Sequence, residues 1–128
     1  MRLLLDSSVL IDVLRSRRGR REFLAGLVHA GHLLGTTALN VAEVYAGMRP
    51  DERTRTEALL DGLECYDVTR SVGQLAGELK QHWARRGRTL TIPDTTVAAV
   101  ALQHEFTLLT DNSKDFPMTE LQQLPLPE

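Results

Sequence analysis

Short apolar runs alternate along this chain with longer segments in which apolar residues recur at helical spacing. The short runs are nearly continuous, which is typical of strands that are buried on both faces of a parallel sheet. They are LLL near the N-terminus, HLLGT around Leu33, ECYDV around Tyr66 and FTLLT around Leu108. The alternation predicts an α/β domain with a mainly parallel central sheet flanked by helices, an α/β/α sandwich.

Capping residues and helix breakers mark the segments between the apolar runs. Serine and threonine favour helix starts, proline the first helical turn and glycine the end. The predicted helices are the segment after Ser7 or Ser8, with Val9, Leu10, Val13 and Leu14; a segment with an apolar face of Phe23, Leu24, Leu27 and Val28; a segment capped by Thr36 and Thr37 that ends near Gly47; a helix after Pro50; SVGQLAGELKQHWARRG, stopped by Gly87; and DTTVAAVALQHE, opened by Pro93.

Length and composition predict one soluble globular unit. The chain has 128 residues, of which 42% are hydrophobic and 25% charged, and no repeat or linker divides it. We expect a single domain over residues 1–128, with the last few residues, LPLPE, as a tail. No apolar run approaches the roughly 20 residues of a membrane span, so a cytoplasmic protein is expected. The single cysteine, Cys65, excludes an internal disulfide and is expected to be a small buried side chain.

Acidic residues follow the predicted strands at comparable positions. Asp6 ends the first run, Glu43 lies about one turn into the helix after the second run, and Asp94 opens the last helix. The segment TDNSKDF follows the last central strand. Taken singly, such acids are more often helix caps or first-turn charges. Because ligands of parallel sheets collect at the carboxyl ends of the strands, we expect these acids to converge on one edge.

A cluster of carboxylates predicts a metal site. Like charges at short range repel, so the cluster requires raised pKa values or a bound cation. Oxygen ligands favour a hard ion such as Mg²⁺, which takes a few carboxylates together with substrate phosphate oxygens. The pattern therefore indicates metal-assisted phosphodiester hydrolysis.

Arginines are concentrated in two places, although the formal net charge is only -2. Arginine binds phosphate without reading sequence, so both clusters are candidate phosphate contacts. The alternative is a solvated helix end. The clusters are Arg15, Arg17, Arg18, Arg20 and Arg21, and Arg85, Arg86 and Arg88.

Three blocks of the sequence resemble the PIN-domain ribonucleases, most closely the VapC toxins of bacterial toxin-antitoxin pairs. They are LLLDSSVLIDVL, TTALNVAEVYAG and IPDTTVAAVALQHEFTLLTDNSKDF, and they extend over essentially the whole chain in the family's order. The resemblance implies that Asp6, Glu43 and Asp94 are the acids of the site and metal ligands. It further implies that Thr110 helps to order the site, and it leaves the fourth position open between Asn112 and Asp115, with Asp115 as the further metal ligand.

The resemblance also implies what the protein does. It implies endonucleolytic cleavage of RNA that depends on Mg²⁺ or Mn²⁺, with a metal-activated water as nucleophile. It implies a homodimer and a cognate VapB-like antitoxin that inhibits the site. Whether one or two ions are bound stays open, because a neutral Asn112 would weaken a second site. The arginine clusters are expected along the RNA path or the antitoxin interface.

Other acidic α/β sites fit less well. Phosphatases with an aspartyl nucleophile need a second aspartate two residues on, where this chain has Ser8, and receiver domains need paired acids where LLLDSS supplies one. A catalytically weak PIN-fold module that binds RNA or protein remains an alternative. A nuclease acting on DNA also remains possible, because carboxylates around a phosphate do not read a 2′-hydroxyl.

Overall fold

The computed structural model describes residues 1–127, in which four parallel strands form one sheet between two layers of helices. The predicted α/β/α sandwich is confirmed. The strands are β1 (Arg2–Leu5), β2 (Leu33–Thr37), β3 (Glu64–Tyr66) and β4 (Thr107–Leu109). The helices are α1 (Ser7–Leu14), α2 (Arg20–His29), α3 (Ala38–Ala46), α4 (Arg53–Asp61), α5 (Arg70–Ala84) and α6 (Ile92–His104), with short 3-10 helices at Pro50–Glu52 and Ser113–Asp115.

The three leucines of β1 fill the cores on both sides of the sheet. Successive side chains of a strand point to opposite faces, so neighbouring leucines enter different cores. Leu4 packs in a cluster with buried residues of α5 and α6, such as Val72 and Val97. Leu3 and Leu5 pack in a second cluster with residues of α1, α2 and α3. A continuous apolar run is therefore what the central strand of this sheet requires.

The strand order places a natural ligand site beside the end of β1. The order is β3-β2-β1-β4, so the chain moves away from β1 in one direction through β2 and β3 and returns to its other side with β4. The Asp6 amide donates to the Leu109 carbonyl at 3.0 Å, which aligns the ends of β1 and β4. In open α/β sheets, ligands bind outside the carboxyl ends of the strands at such a reversal.

Two helix caps differ from the simplest reading of the sequence. Asp6, rather than Ser7 or Ser8, caps α1, and its carboxylate accepts from the Ser7 amide. The serine caps were wrong because the Asp6 backbone is already extended at the strand end, which is the conformation of a capping residue. Of the two threonines, Thr37 caps α3, whereas the Thr36 hydroxyl donates to the Leu5 carbonyl across the sheet.

Some predicted burial was wrong at the periphery of the fold. Val28 was expected on the apolar face of α2 but is 58% exposed. Cys65 is also exposed, and β3 is not buried on both faces. The exposure of Cys65 has a topological reason, because β3 is an edge strand that pairs only with β2.

The C-terminal segment packs on the sheet, which differs from the expected tail. The Leu108 amide donates to the Gln122 carbonyl at 2.8 Å, and the Leu124 amide donates to the Leu108 carbonyl at 3.0 Å. Leu124 and Leu126 pack against the second core cluster. The described part of the segment thus covers the outer edge of β4, where unpaired backbone groups would otherwise face solvent.

Candidate active site

Asp6 is held at the carboxyl end of β1 by donors from three parts of the chain. Its Oδ1 accepts from the Ser7 amide at 2.9 Å and from Asn40 Nδ2 at 3.1 Å. Its Oδ2 accepts from Thr110 Oγ1 at 2.8 Å. The residue is only 8% exposed, so these bonds compensate for the partial loss of hydration of the carboxylate. Asp6 therefore has one defined orientation before any ligand binds.

Glu43 joins the same network from α3. Its Oε1 accepts from Ser7 Oγ at 2.5 Å, and Ser7 Oγ accepts in turn from Asn40 Nδ2 at 2.9 Å. Asn40 precedes Glu43 by three residues, which places both side chains on the same face of the helix. The cap at Thr37 begins α3 at the end of β2 and so brings this face to the edge that carries Asp6.

Asp94 approaches from the first turn of α6. Thr91 caps this helix, with its hydroxyl accepting from the Asp94 amide at 3.2 Å. Burial raises the pKa of the Asp94 carboxyl, and so do the negative charges of Asp6, Asp115 and Glu43, while the Thr91 hydroxyl opposes the rise. The charges of three other acids therefore act on the Asp94 carboxyl, in addition to its burial.

The segment after β4 adds Asn112 and Thr110 to the site. The Asn112 amide donates to Thr110 Oγ1 at 3.1 Å, so Thr110 bridges this segment to Asp6. Asn112 lines the cleft, whereas Asp115 lies outside the lining and acts on Asp94 through its charge. The cleft has a volume of about 130 Å³ and is lined by Asp6, Ser7, Ser8, Glu43, Pro93, Asp94, Val97 and Asn112.

The donor set of the cleft fits a hard divalent cation. Asp6, Glu43, Asp94 and Asn112 offer carboxylate and amide oxygens, and no basic side chain is among the residues that line the cleft. Burial is the main cause of the raised pKa of Asp94, and the neighbouring negative charges that add to it are ones that a cation would neutralise. Within residues 1–127, no three His, Cys, Asp or Glu side chains are grouped closely enough to enclose an ion.

The sequence did not identify Ser7 and Asn40 as site residues. Ser7 was considered only as a helix cap, and Asn40 was not singled out, yet together they connect Asp6 to Glu43. The available sequence signal was the spacing of Asn40 and Glu43 at i and i+3 on a helix that starts at the strand end.

The predicted arginine contacts differ in their surroundings. Arg17 and Arg85 are exposed, and Arg18 is exposed but pairs with Asp111 at 3.3 Å. The others form bonds within the chain. Arg15 donates to the Gly47 carbonyl and lies 3.6 Å from Glu52, Arg86 contacts His82, and Arg88 donates to the Lys114 carbonyl.

Arg20, within the first basic run, is buried rather than solvated. It is 2% exposed, and its guanidinium lies 2.7 Å from Asp111 and 3.6 Å from Asp12. Its Nη1 donates to the Pro127 carbonyl at 2.6 Å. Arg20 therefore connects α1, the segment after β4 and the C-terminal segment.

Residues 3–119 match the sequence pattern of the PIN domain. The chain belongs to the PIN-domain family. The predicted resemblance to this family and its VapC members is confirmed. This PIN domain is 30% identical over 118 residues to ribonuclease VapC10 of Mycobacterium tuberculosis, covering 92% of this chain and 88% of the relative. It is 29% identical over 115 residues to ribonuclease VapC19 of the same organism, covering 90% and 92%.

A solved structure shows the same PIN-domain architecture. It is VapBC2 from Rickettsia felis bound to a DNA fragment from its promoter, with a TM-score of 0.85 and 19% identity over 97% of this chain and 98% of that chain. At this identity the likeness concerns the fold.

Within residues 1–127, no helix is long and apolar enough to cross a membrane.

Proposed function

We propose that this PIN domain is a metal-dependent endoribonuclease and the toxin of a VapBC-type toxin-antitoxin pair. The observation that carries the proposal is the convergence of Asp6, Glu43 and Asp94 on one cleft at the carboxyl edge of the sheet. The similarity of the chain to the ribonucleases VapC10 and VapC19, over about nine-tenths of its length, supports RNA as the substrate class. Larger cavities of about 250 and 370 Å³ lie elsewhere, so chemistry rather than size identifies the site.

The residues of the cleft have distinct roles in this proposal. Asp6, Glu43 and Asp94 would hold Mg²⁺ or Mn²⁺ directly or through its waters, and Asp115 and Asn112 would complete its surroundings in the same way. Such an ion would lower the pKa of a water and neutralise charge on the scissile phosphate. Thr110 orients Asp6 through its 2.8 Å hydrogen bond. The N-terminal turn of α6 adds backbone dipoles that favour negative charge beside Asp94.

An inhibitory partner follows from the charge of the cleft. An acidic cleft with no basic residue in its lining attracts a cationic side chain, so a VapB-like antitoxin is proposed to block it with a basic group. Arg17, Arg18 and Arg85 are exposed and their side chains donate no hydrogen bond within residues 1–127, so they are the best placed of the predicted arginines for RNA or antitoxin contact. A homodimer and a cytoplasmic location complete the proposal, on the strength of family membership.

A cleavage assay with matched variants tests the activity. The protein, freed of antitoxin, is incubated with structured RNA and Mn²⁺ or Mg²⁺, beside Asp94→Asn, the exposed control Asp61→Asn, and an EDTA sample. We expect cleavage by the wild type and by Asp61→Asn, and a loss of at least a hundredfold in Asp94→Asn and in EDTA.

Two outcomes would contradict the proposal. Cleavage that persists equally in EDTA and in Asp94→Asn would mean that this acidic cleft is not responsible. Metal binding without cleavage of any RNA in a broad panel would favour the catalytically weak binding module instead.

A further inference from the structure

We propose that Asn40 is a positioning residue whose buried carboxamide holds the Asp6 and Glu43 carboxylates in a fixed relation to each other. The inference rests on the proposed function, because it concerns how the metal site is prepared. Asn40 is fully buried, at 0% exposure, although an asparagine in a helix usually faces solvent. A buried amide requires partners for its polar atoms, and this one finds them among the residues of the cleft.

The orientation of the amide follows from the helix cap. The Thr37 hydroxyl accepts from the Asn40 backbone amide at 3.1 Å, so its own hydrogen is free to be donated. That hydrogen goes to Asn40 Oδ1 at 2.7 Å. With the carbonyl end fixed at Thr37, the amino group of Asn40 must point toward β1 and the acids.

Both hydrogens of the amino group then serve the two carboxylates. One goes to Asp6 Oδ1 at 3.1 Å, and the other goes to Ser7 Oγ at 2.9 Å. Because Ser7 Oγ accepts this hydrogen, its hydroxyl is free to donate to Glu43 Oε1. Asn40 thus acts on Asp6 directly and on Glu43 through Ser7, with a longer contact of 3.5 Å from its Nδ2 to Glu43 Oε1 itself.

The network uses one oxygen of each carboxylate and leaves the other more open. Asp6 Oδ1 has two donors, which match its two lone pairs, whereas Oδ2 has only Thr110. In the described part of the chain, no hydrogen bond is formed to Glu43 Oε2. Each acid is therefore anchored by its inner oxygen, and Asp6 Oδ2 and Glu43 Oε2 remain for a cation.

Without the Asn40 amide, the Asp6 and Glu43 carboxylates would no longer be held in position for a cation. Asp6 and Glu43 repel each other when the cleft is empty, and a neutral donor between them offsets that repulsion. Glu43 has a long side chain at an exposed position of α3, and without Asn40 the Ser7 hydroxyl that holds it would lose the donor that orients it. Loss of such outer hydrogen-bond partners typically lowers metal affinity or activity by about 10–100-fold.

The test compares Asn40→Leu, which preserves approximate volume without donors, with Ser7→Ala and a control. The control is Thr56→Val, which removes a buried hydroxyl that donates to the Glu52 carbonyl and has no bond to the acidic network. Mn²⁺ affinity is measured by calorimetry on the protein free of RNA and antitoxin, kcat and KM are measured on RNA, and Tm is measured for every variant.

We expect Asn40→Leu to weaken Mn²⁺ binding and to lower kcat by about 10–100-fold, with KM for RNA changed less than about threefold. Ser7→Ala should weaken Mn²⁺ binding less, because Asp6 keeps its bond from Asn40. Thr56→Val should lower Tm while Mn²⁺ affinity and kcat stay at the wild-type values.

The outcomes distinguish the two proposals. If Asn40→Leu lowers Tm but retains wild-type Mn²⁺ affinity and kcat, Asn40 is only structural and the inference is overturned. If Asn40→Leu does not fold, Ser7→Ala decides, and wild-type Mn²⁺ affinity in that variant overturns the inference. If the folded wild type neither binds Mn²⁺ nor cleaves RNA, the proposed function itself fails.

Discussion

Thr110 Oγ1 donates to Asp6 Oδ2 at 2.8 Å, across 104 positions of sequence. The bond joins the carboxyl ends of β1 and β4, the adjacent strands between which the strand order reverses. The same hydroxyl accepts from the Asn112 amide at 3.1 Å. The buried Thr110 side chain therefore holds both Asp6 and Asn112 in position at the cleft.

Replacing Thr110 should affect the site more than the fold. In Thr110→Val, the shape is retained but the donor to Asp6 and the acceptor for Asn112 are lost, so we expect kcat to fall about tenfold or more. Thr110→Ser keeps the hydroxyl and should retain most of the activity. Steady-state cleavage kinetics with circular dichroism as a folding control check this. Equal activity in the two variants would show that the hydroxyl does not act on Asp6.

Asp94 should destabilise the metal-free protein at neutral pH. Burial and the neighbouring acids raise its folded pKa above the ordinary value of 3.8, so ionisation costs more in the folded state than in the unfolded state. This destabilisation is fully present above the folded pKa and vanishes below the unfolded pKa. In EDTA at pH 7, Asp94→Asn should therefore melt a few degrees higher than the wild type.

The pH series gives the diagnostic result for Asp94. The advantage of Asp94→Asn should shrink as the pH falls through the raised pKa and should be absent below about 3.8. Adding Mn²⁺ at pH 7 should stabilise the wild type more than the variant, because the ion binds only the folded state. A variant that melts lower than the wild type in EDTA at pH 7 would contradict the proposed repulsion.

Local patterns in the sequence were sufficient to predict the fold class and to place the main acids at the carboxyl edge of the sheet. The LLL run predicted β1 because a strand between two cores must be apolar on both faces, and Asp6 was predicted at the site because it follows that strand. Glu43 and Asp94 were placed by the same reasoning, and the structure brings both to the cleft.

Features that depend on partners distant in the sequence could not be predicted in this way. Asn40 is buried because Asp6 and Ser7, more than 30 positions away, offer it acceptors. The choice between Asn112 and Asp115 at the cleft depends on the path of the segment after β4, which no periodicity specifies. The exposure of Cys65 depends on strand order, since the same residue in a central strand would be covered.

Arg20 should be the arginine on which stability depends most. Its burial beside Asp12 and Asp111 means that Arg20→Leu would leave carboxylates without their cation, and such losses cost about 3–5 kcal/mol. Arg17→Leu, at an exposed position of the same basic run, should change the free energy of unfolding by less than about 0.5 kcal/mol. Urea unfolding of the two variants makes the comparison. Similar midpoints would show that the pairs with Asp12 and Asp111 contribute little.

Two glycine substitutions should change stability in opposite directions. A Cβ at Gly35, in the middle of β2, would lie 3.1 Å from Phe106 Cζ and 3.2 Å from the Glu64 carbonyl oxygen. Gly35→Ala should therefore destabilise the fold by about 1–3 kcal/mol, because neither the packed ring nor the paired backbone of β3 can yield freely. A Cβ at Gly26, within α2, would meet no atom within 4 Å, so Gly26→Ala should stabilise by about 0.5–1 kcal/mol. Thermal melts of both variants check the pair, and a stabilising Gly35→Ala would mean that the sheet and Phe106 adjust more easily than this packing implies.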